Sequence, residues 1–212
     1  MRFKPVNTAN AAVGVVTLLA LATGAWLLAG GAAGHPPPQP APEQADAAAN
    51  GTARRTGAPP MPKSPPTRIR IPSLQVDAPL TALGLSPRGS LEVPPPRKEN
   101  LAGWYEAGTS PGERGTAVVA GHVDNAEGPA VFYGLGALRR GRTVEVDRRD
   151  GSVAVFTVDA VRMYAAKDFP DEKVYGSAER AELRVITCGG PYSRRTGYEG
   201  NVVVFAHLTD SR

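Results

Sequence analysis

The chain has 212 residues, with 24 lysines and arginines, 20 aspartates and glutamates, and a formal net charge of +4. From Thr67 onward the counts are 19 against 18, so the positive excess lies in the N-terminal third. A nearly neutral domain without a basic stripe argues against nucleic-acid binding, and a single cysteine excludes an intrachain disulfide.

An uncharged apolar run, AAVGVVTLLALATGAWLLAGGAA, occupies residues 11–33. It has the roughly 20 residues that a membrane-spanning helix needs. Arg2 and Lys4 precede it, so the positive-inside rule places residues 1–10 in the cytoplasm and the rest of the chain outside. We predict a single-pass signal-anchor in the cell membrane with an extracellular remainder. Small residues at 29–34 leave a cleaved signal peptide as the alternative, although the run is longer than its apolar region usually is.

Residues 34–66 are rich in proline, alanine and glycine and contain ten prolines. Such a composition lacks the large apolar side chains that build a core, and proline favours extended backbone. We therefore predict a semi-rigid spacer between the membrane and the folded part.

From Thr67 to Arg212 the sequence shows short apolar stretches separated by glycine, proline and aspartate, the pattern of an all-β sandwich or barrel. Asp150-Gly151 between alternating apolar residues predicts a hairpin. One short helix is expected within residues 129–138. The candidate strands are residues 68–71 with 74–76, 115–123, 143–147, 152–164, 183–188 and 201–208.

Cys188 ends the apolar run LRVITC, and the GGPYS that follows is expected to be a loop or bulge because it interrupts the strand pattern. A free thiol ionises near pH 8.5, so a cysteine nucleophile needs a base or cation close by. A buried structural cysteine is the alternative.

His122 is the candidate base, because it follows the apolar strand TAVVAG and precedes a polar loop. Rigid strands commonly deliver functional side chains from their ends, and Gly121 permits a close backbone approach. His207, within the last strand, is expected to be a pairing residue, and His35 lies in the spacer. Asp124 is expected either to orient the imidazole of His122 or to cap the loop turn.

Arg194 and Arg195 follow Cys188 by six and seven positions. A guanidinium can stabilise the negative charge that develops on a carbonyl oxygen during acyl transfer. Neighbouring side chains of an extended segment point to opposite faces, so at most one of the two should face Cys188. Two solvated loop arginines are the alternative.

Three motifs in order, AGHVD at 120–124, VITCGG at 185–190 and R-x-T-G from Arg194, resemble the sortase superfamily of membrane-anchored cysteine transpeptidases. The resemblance is closest to class F, with class E next, and it covers Ile69 to Leu208. It implies a closed β-barrel of about eight strands with short helices in its loops. The expected T-L-x-T-C appears here with Arg184 and Val185 at its first two positions.

The resemblance also implies the roles of the site residues. Cys188 is the nucleophile that forms an acyl-thioester, His122 is the proton donor and acceptor, and Arg194 stabilises the oxyanion and the substrate. Arg194 rather than Arg195 matches the family pattern two residues before Thr-Gly. Thr187 is expected either to contribute to the oxyanion site or to serve only in the strand. The segment 163–182 is implied to form one wall of a peptide groove.

The expected partners are exported proteins with a C-terminal sorting signal similar to Leu-Pro-x-Thr-Gly, together with an amine acceptor from a cell-wall precursor or another protein. The reaction implied needs no cofactor, and the scattered histidines and cysteine predict no metal site. An L,D-transpeptidase is a weaker alternative, because the Ser-His-Gly-Cys expected of that class is absent before Cys188. A non-catalytic tethered β-domain is the other alternative.

Overall fold

The computed structural model describes residues 36–41 and 57–212. The predicted cytoplasmic tail and signal-anchor, residues 1–33, lie outside the described residues. Within the described part, no helix has the length and apolar character needed to cross a bilayer.

Eight strands close into a barrel in the order β1-β2-β3-β4-β9-β10-β8-β7. The prediction of an all-β closed barrel of about eight strands is confirmed. A separate two-stranded ribbon, β5 with β6, lies in the loop after β4. The strands are β1 (Pro66–Ile71), β2 (Val76–Leu83), β3 (Ala102–Tyr105), β4 (Gly115–Gly121), β5 (Asp124–Asn125), β6 (Gly128–Pro129), β7 (Thr143–Arg148), β8 (Val153–Ala165), β9 (Ala181–Ser193) and β10 (Gly197–Ser211).

Alternating apolar residues of the strands fill the barrel, as the period of two in a strand requires. Ile69 and Phe156 are completely buried there, and Phe132 and Leu135 enter from the loop between β6 and β7. The short helix expected within 129–138 is present only as a 3-10 turn, Leu135–Ala137. Within the described ranges, two further 3-10 turns are Pro72–Leu74 and Ala166–Asp168. The glycines of this segment disfavour a regular helix, and its buried aromatic side chain packs into the end of the barrel from a compact turn.

One α-helix, α1 (Asp171–Tyr175), lies in the connection from β8 to β9. Its Val174 is fully buried in a second, smaller apolar cluster with Val118, Ile186 and Val203. These three strand residues face outward from the barrel, so the connection covers part of the barrel's outer surface.

Part of the predicted spacer lies on the barrel. Ala58 donates its backbone N–H to the Leu208 carbonyl at 3.0 Å, and the guanidinium of buried Arg148 donates to the Pro62 carbonyl. Ser64 is buried as well. Residues 57–65 therefore belong to the surface of the folded part, although proline and small residues dominate their sequence.

Candidate functional site

Cys188 lies on the outer face of β9, at the end of a buried run. Residues 183–187 are all buried, with Leu183 and Val185 in the barrel core and Ile186 in the outer cluster. Alternation then places the Cys188 side chain on the same outer face as Ile186. As a residue, Cys188 is exposed, so the alternative of a fully buried structural cysteine is wrong, although neighbouring groups partly desolvate its sulfur.

His122 follows the last residue of β4, which is parallel to β9. In that ladder Ala120 is opposite Ile186. The pairing ends there, two residues before His122 on one chain segment and two residues before Cys188 on the other. The hydroxyl of Thr187 donates to the Gly121 carbonyl at 2.9 Å and joins the two strand ends between these positions. The structure thus brings the predicted nucleophile and base to adjacent strand ends.

Gly121 permits the close approach that the sequence predicts. A Cβ at this position would lie 2.7 Å from a ring carbon of Phe132 and 2.8 Å from Val131. Thr187 is buried and its hydroxyl is committed to the Gly121 carbonyl. Its role is therefore in the strand, and the alternative of an oxyanion contact is not supported.

The imidazole of His122 is oriented by a backbone carbonyl. Nε2 lies 2.7 Å from the Pro94 oxygen, which can only accept a hydrogen bond, so Nε2 carries a proton. Nδ1 is then the ring nitrogen that can accept a proton. Pro94 belongs to the connection between β2 and β3, and no local motif marks it as a partner of His122.

Among the residues that the structure describes, the side chain of Asp124 is hydrogen-bonded to Tyr198, and neither to the imidazole of His122 nor to the backbone of its own turn. Its carboxylate accepts a hydrogen bond from the Tyr198 hydroxyl at 2.5 Å. Burial together with this carboxylate raises the pKa of Tyr198 well above its ordinary value. Desolvation and the negative charge of Asp124 also raise the pKa of the Cys188 thiol. Without substrate, Cys188 is therefore predominantly the neutral thiol at neutral pH.

A groove with a cavity of about 670 Å³ opens on this face of the barrel. Its floor is mainly apolar and includes Val118, Ala120 and Ile186. One wall comes from residues 85–93 and the other from residues 171–177. The expected wall from the segment before Cys188 is therefore present, although β8 extends to Ala165 and shortens the loop. A groove of this size, with an apolar floor and polar side chains along its walls, suits an extended peptide.

The strand with Cys188 does not end there. β9 continues to Ser193, and the predicted interruption at the glycines is a bulge in which Gly190 and Pro191 lie opposite Glu199. Gly190 has φ of 84°, which glycine adopts without steric cost. Its backbone N–H donates to Oε1 of Gln39 at 3.1 Å, so residues of the proline-rich segment contact the strand two positions beyond the nucleophile.

Arg194 and Arg195 lie in the turn between β9 and β10, and both are exposed. Six residues separate Arg194 from Cys188, about 20 Å along an extended strand. Along the chain, both arginines therefore lie well past Cys188, beyond the bulge at Gly190. Sequence reasoning missed Asn201, which lies directly opposite Cys188 in the ladder of β9 and β10. Only the register of the hairpin reveals it.

His207 is buried, and its Nδ1 lies 2.8 Å from Oδ2 of Asp159. It is a pairing residue of the barrel, as predicted. Among the residues that the structure describes, no group of three or more histidine, cysteine, aspartate or glutamate side chains could hold a metal ion.

The same fold occurs in solved structures. Sortase A from Corynebacterium diphtheriae is 20% identical over 70% of this chain and 62% of that one, with a TM-score of 0.52. Sortase A of Listeria monocytogenes is 16% identical over 71% and 90% of the two chains, with a TM-score of 0.52. Sortase C1 from Streptococcus suis is 17% identical over 69% and 74%, also at 0.52. This chain thus spans about 62% of the length of the Corynebacterium protein.

A search of curated proteins finds no match. The sequence model of the family described as "Sortase domain" matches residues 69–209, which include the barrel strands that carry His122 and Cys188. The chain therefore belongs to the sortase family.

Proposed function

We propose that this chain is an extracytoplasmic transpeptidase, held in the cell membrane by residues 11–33, that acts on a sorting signal similar to Leu-Pro-x-Thr-Gly. One observation carries the proposal. The parallel pairing of β4 with β9 ends two residues before both His122 and Cys188, at Ala120 and Ile186, and these two paired residues line the groove. The motifs AGHVD and TCGG favour class F within the family.

The first half-reaction cleaves the bond between threonine and glycine of the signal. Cys188 transfers its proton to His122, and the sulfur attacks the threonine carbonyl carbon. The tetrahedral intermediate collapses, the C–N bond breaks, and the departing glycine amine takes the proton from His122. The products are a thioester on Cys188 and a free amine.

The second half-reaction transfers the acyl group. An acceptor amine attacks the thioester carbonyl, His122 takes the proton of the amine, and the C–S bond breaks. The cysteine sulfur recovers its proton, and a new amide joins the exported protein to the acceptor. We propose a cell-wall precursor or another protein as the source of this amine.

The resemblance gives Arg194 two tasks, oxyanion stabilisation and substrate positioning. Its place in the hairpin turn, at a distance along β9 from Cys188, favours substrate positioning. Arg195 is its matched control, because it lies in the same turn with the same charge and exposure. Arg194→Ala should raise KM more than Arg195→Ala does, and equal effects would remove Arg194 from the proposal.

The activity is tested on the full chain in detergent micelles, with fluorogenic Leu-Pro-x-Thr-Gly peptides and with or without triglycine as acceptor. We expect cleavage, a ligated product, and an acyl adduct on Cys188 by mass spectrometry. Cys188→Ala and His122→Ala should abolish all three. If none of the peptides is cleaved and no acyl adduct forms on Cys188, the proposed enzymatic function is refuted.

The location is tested through the same residue, because Cys188 is the only cysteine in the chain. A membrane-impermeant maleimide should label the chain in intact cells, and Cys188→Ala should abolish the signal. Labelling that appears only after lysis would contradict an extracytoplasmic domain.

A further inference from the structure

Asn201 occupies the position in β10 that pairs directly with Cys188. Directly opposite residues of an antiparallel pair project from the same face, with Cβ atoms about 4.5–5.5 Å apart. The Asn201 side chain is half-buried and lines the groove together with Ile186. It therefore stands at the edge of the cavity, beside the sulfur.

Apolar side chains of the groove floor border Asn201 on one side. Val203 follows it on the same face of β10 and is fully buried, and Val118, Ala120 and Ile186 complete the floor on β4 and β9. A primary amide costs free energy in such surroundings unless it finds a hydrogen-bond partner. Within residues 36–41 and 57–212, the Asn201 side chain makes no hydrogen bond to protein. Its two N–H donors are thus available to a ligand in the groove.

We propose that the Asn201 amide donates a hydrogen bond to the carbonyl oxygen of the acyl group attacked by Cys188. This inference rests on the proposed transpeptidase function. The oxygen becomes negatively charged when the sulfur adds to the carbonyl carbon, and a fixed donor in a mainly apolar groove stabilises that charge.

The distribution of charge supports an amide at this position. Arg194 and Arg195 are at the exposed turn, and the ionisable neighbour that acts on the thiol is the anionic Asp124. Another carboxylate beside Cys188 would oppose the developing oxyanion, whereas the neutral amide supplies a donor. The backbone of Asn201 is held in place by strand pairing on both edges of β10. Its partner on β9 is Cys188 and its partner on β8 is Tyr164.

The test compares Asn201→Ala and Asn201→Asp with the wild-type chain in detergent, using the panel peptide that the wild type cleaves fastest. Asp has nearly the shape of Asn and lacks the amide donor, so it keeps the test valid where Ala perturbs folding. We expect kcat to fall about tenfold or more in both variants, because one oxyanion donor commonly contributes at least that much. KM should stay within about twofold, since the contact forms mainly in the transition state.

A thionopeptide, with sulfur in place of the scissile carbonyl oxygen, separates this role from a merely structural one. Sulfur accepts hydrogen bonds weakly, so the wild type should cleave the thionopeptide much more slowly than the oxygen peptide. That ratio should shrink towards one in Asn201→Ala. An unchanged kcat, or an oxygen-to-sulfur ratio equal to that of the wild type, would overturn the assignment of Asn201. No cleavage by the wild type would instead refute the proposed function.

Discussion

The hydrogen bond from Thr187 to Gly121 is the clearest place to test how the barrel holds the catalytic pair. The hydroxyl is buried and reaches a carbonyl 66 positions away in sequence, at 2.9 Å. Thr187→Val keeps the branched shape and removes the donor, so the Gly121 carbonyl loses this partner in a buried location. A loss of this kind costs about 1–3 kcal/mol of unfolding free energy.

The expected consequence is measurable in two assays. With a urea dependence of about 2 kcal/mol per molar, a loss of about 2 kcal/mol lowers the unfolding midpoint by about 1 M. Because the bond lies directly between the backbones that carry His122 and Cys188, kcat/KM should also fall, by about tenfold or more for a displacement of an ångström. Urea titration of the purified chain and cleavage of the best panel peptide provide both numbers.

Thr187→Ser is the matched control, because it retains the hydroxyl and loses only a methyl group. It should stay much closer to the wild type than Thr187→Val in both assays. A valine variant with the wild-type urea midpoint and activity would refute the reasoning. Equal damage in the serine and valine variants would show that packing of the methyl group matters as much as the hydrogen bond.

Three further outcomes follow from neighbouring residues. Asp124→Asn should lower the pKa of Cys188 and so speed its alkylation by iodoacetamide at pH 7.5, since the negative charge of Asp124 helps to raise that pKa. An unchanged or slower rate of alkylation would contradict this. Burial alone would raise the pKa of Glu182, but its contacts with neighbouring arginines, including Arg184 at 2.7 Å, hold it below the ordinary value. Its contribution to stability is therefore present above the unfolded pKa and is lost as the pH falls through the folded pKa, and Glu182→Gln should cost about 2–3 kcal/mol at pH 7 in urea titrations; a variant as stable as the wild type at pH 7 would argue against the buried pair. Gly121→Ala places a Cβ 2.7 Å from a phenylalanine ring carbon, and should lower both the melting temperature and the cleavage rate, whereas a variant that matches the wild type in both would mean that the backbone adjusts freely.

The sequence predicts the strands that are long and apolar, and it misses those that break the usual composition. β3 (Ala102–Tyr105) has only four residues, one of them glycine, and β2 contains Pro79. Proline lacks a backbone N–H, which a strand that is hydrogen-bonded on both edges needs for its ladder. Pro79 is tolerated because pairing of β2 with β3 begins only at Leu80. Such exceptions depend on which strand pairs with each edge of β2, and that pairing is decided by the tertiary structure.

The candidate site shows the same division. Cys188 and His122 are recognisable because each follows an apolar run and meets a glycine-rich or polar segment. Asn201 is not recognisable, because its alignment with Cys188 depends on the turn length and on the one-residue bulge at Gly190. A register shift of one residue would turn its side chain to the opposite face. Pro94 is hidden for a similar reason, since a backbone carbonyl carries no signature in sequence.

The groove is assembled from two kinds of chain segment. The reacting side chains emerge from strands of the closed barrel, while the walls come from the connections at 85–93 and 171–177. Substitutions in these connections change the shape of the groove walls. They leave unchanged the strand pairing of β4 with β9, which sets the distance between base and nucleophile. The two connections are therefore the natural targets for redirecting recognition by directed evolution, with β4 and β9 left untouched.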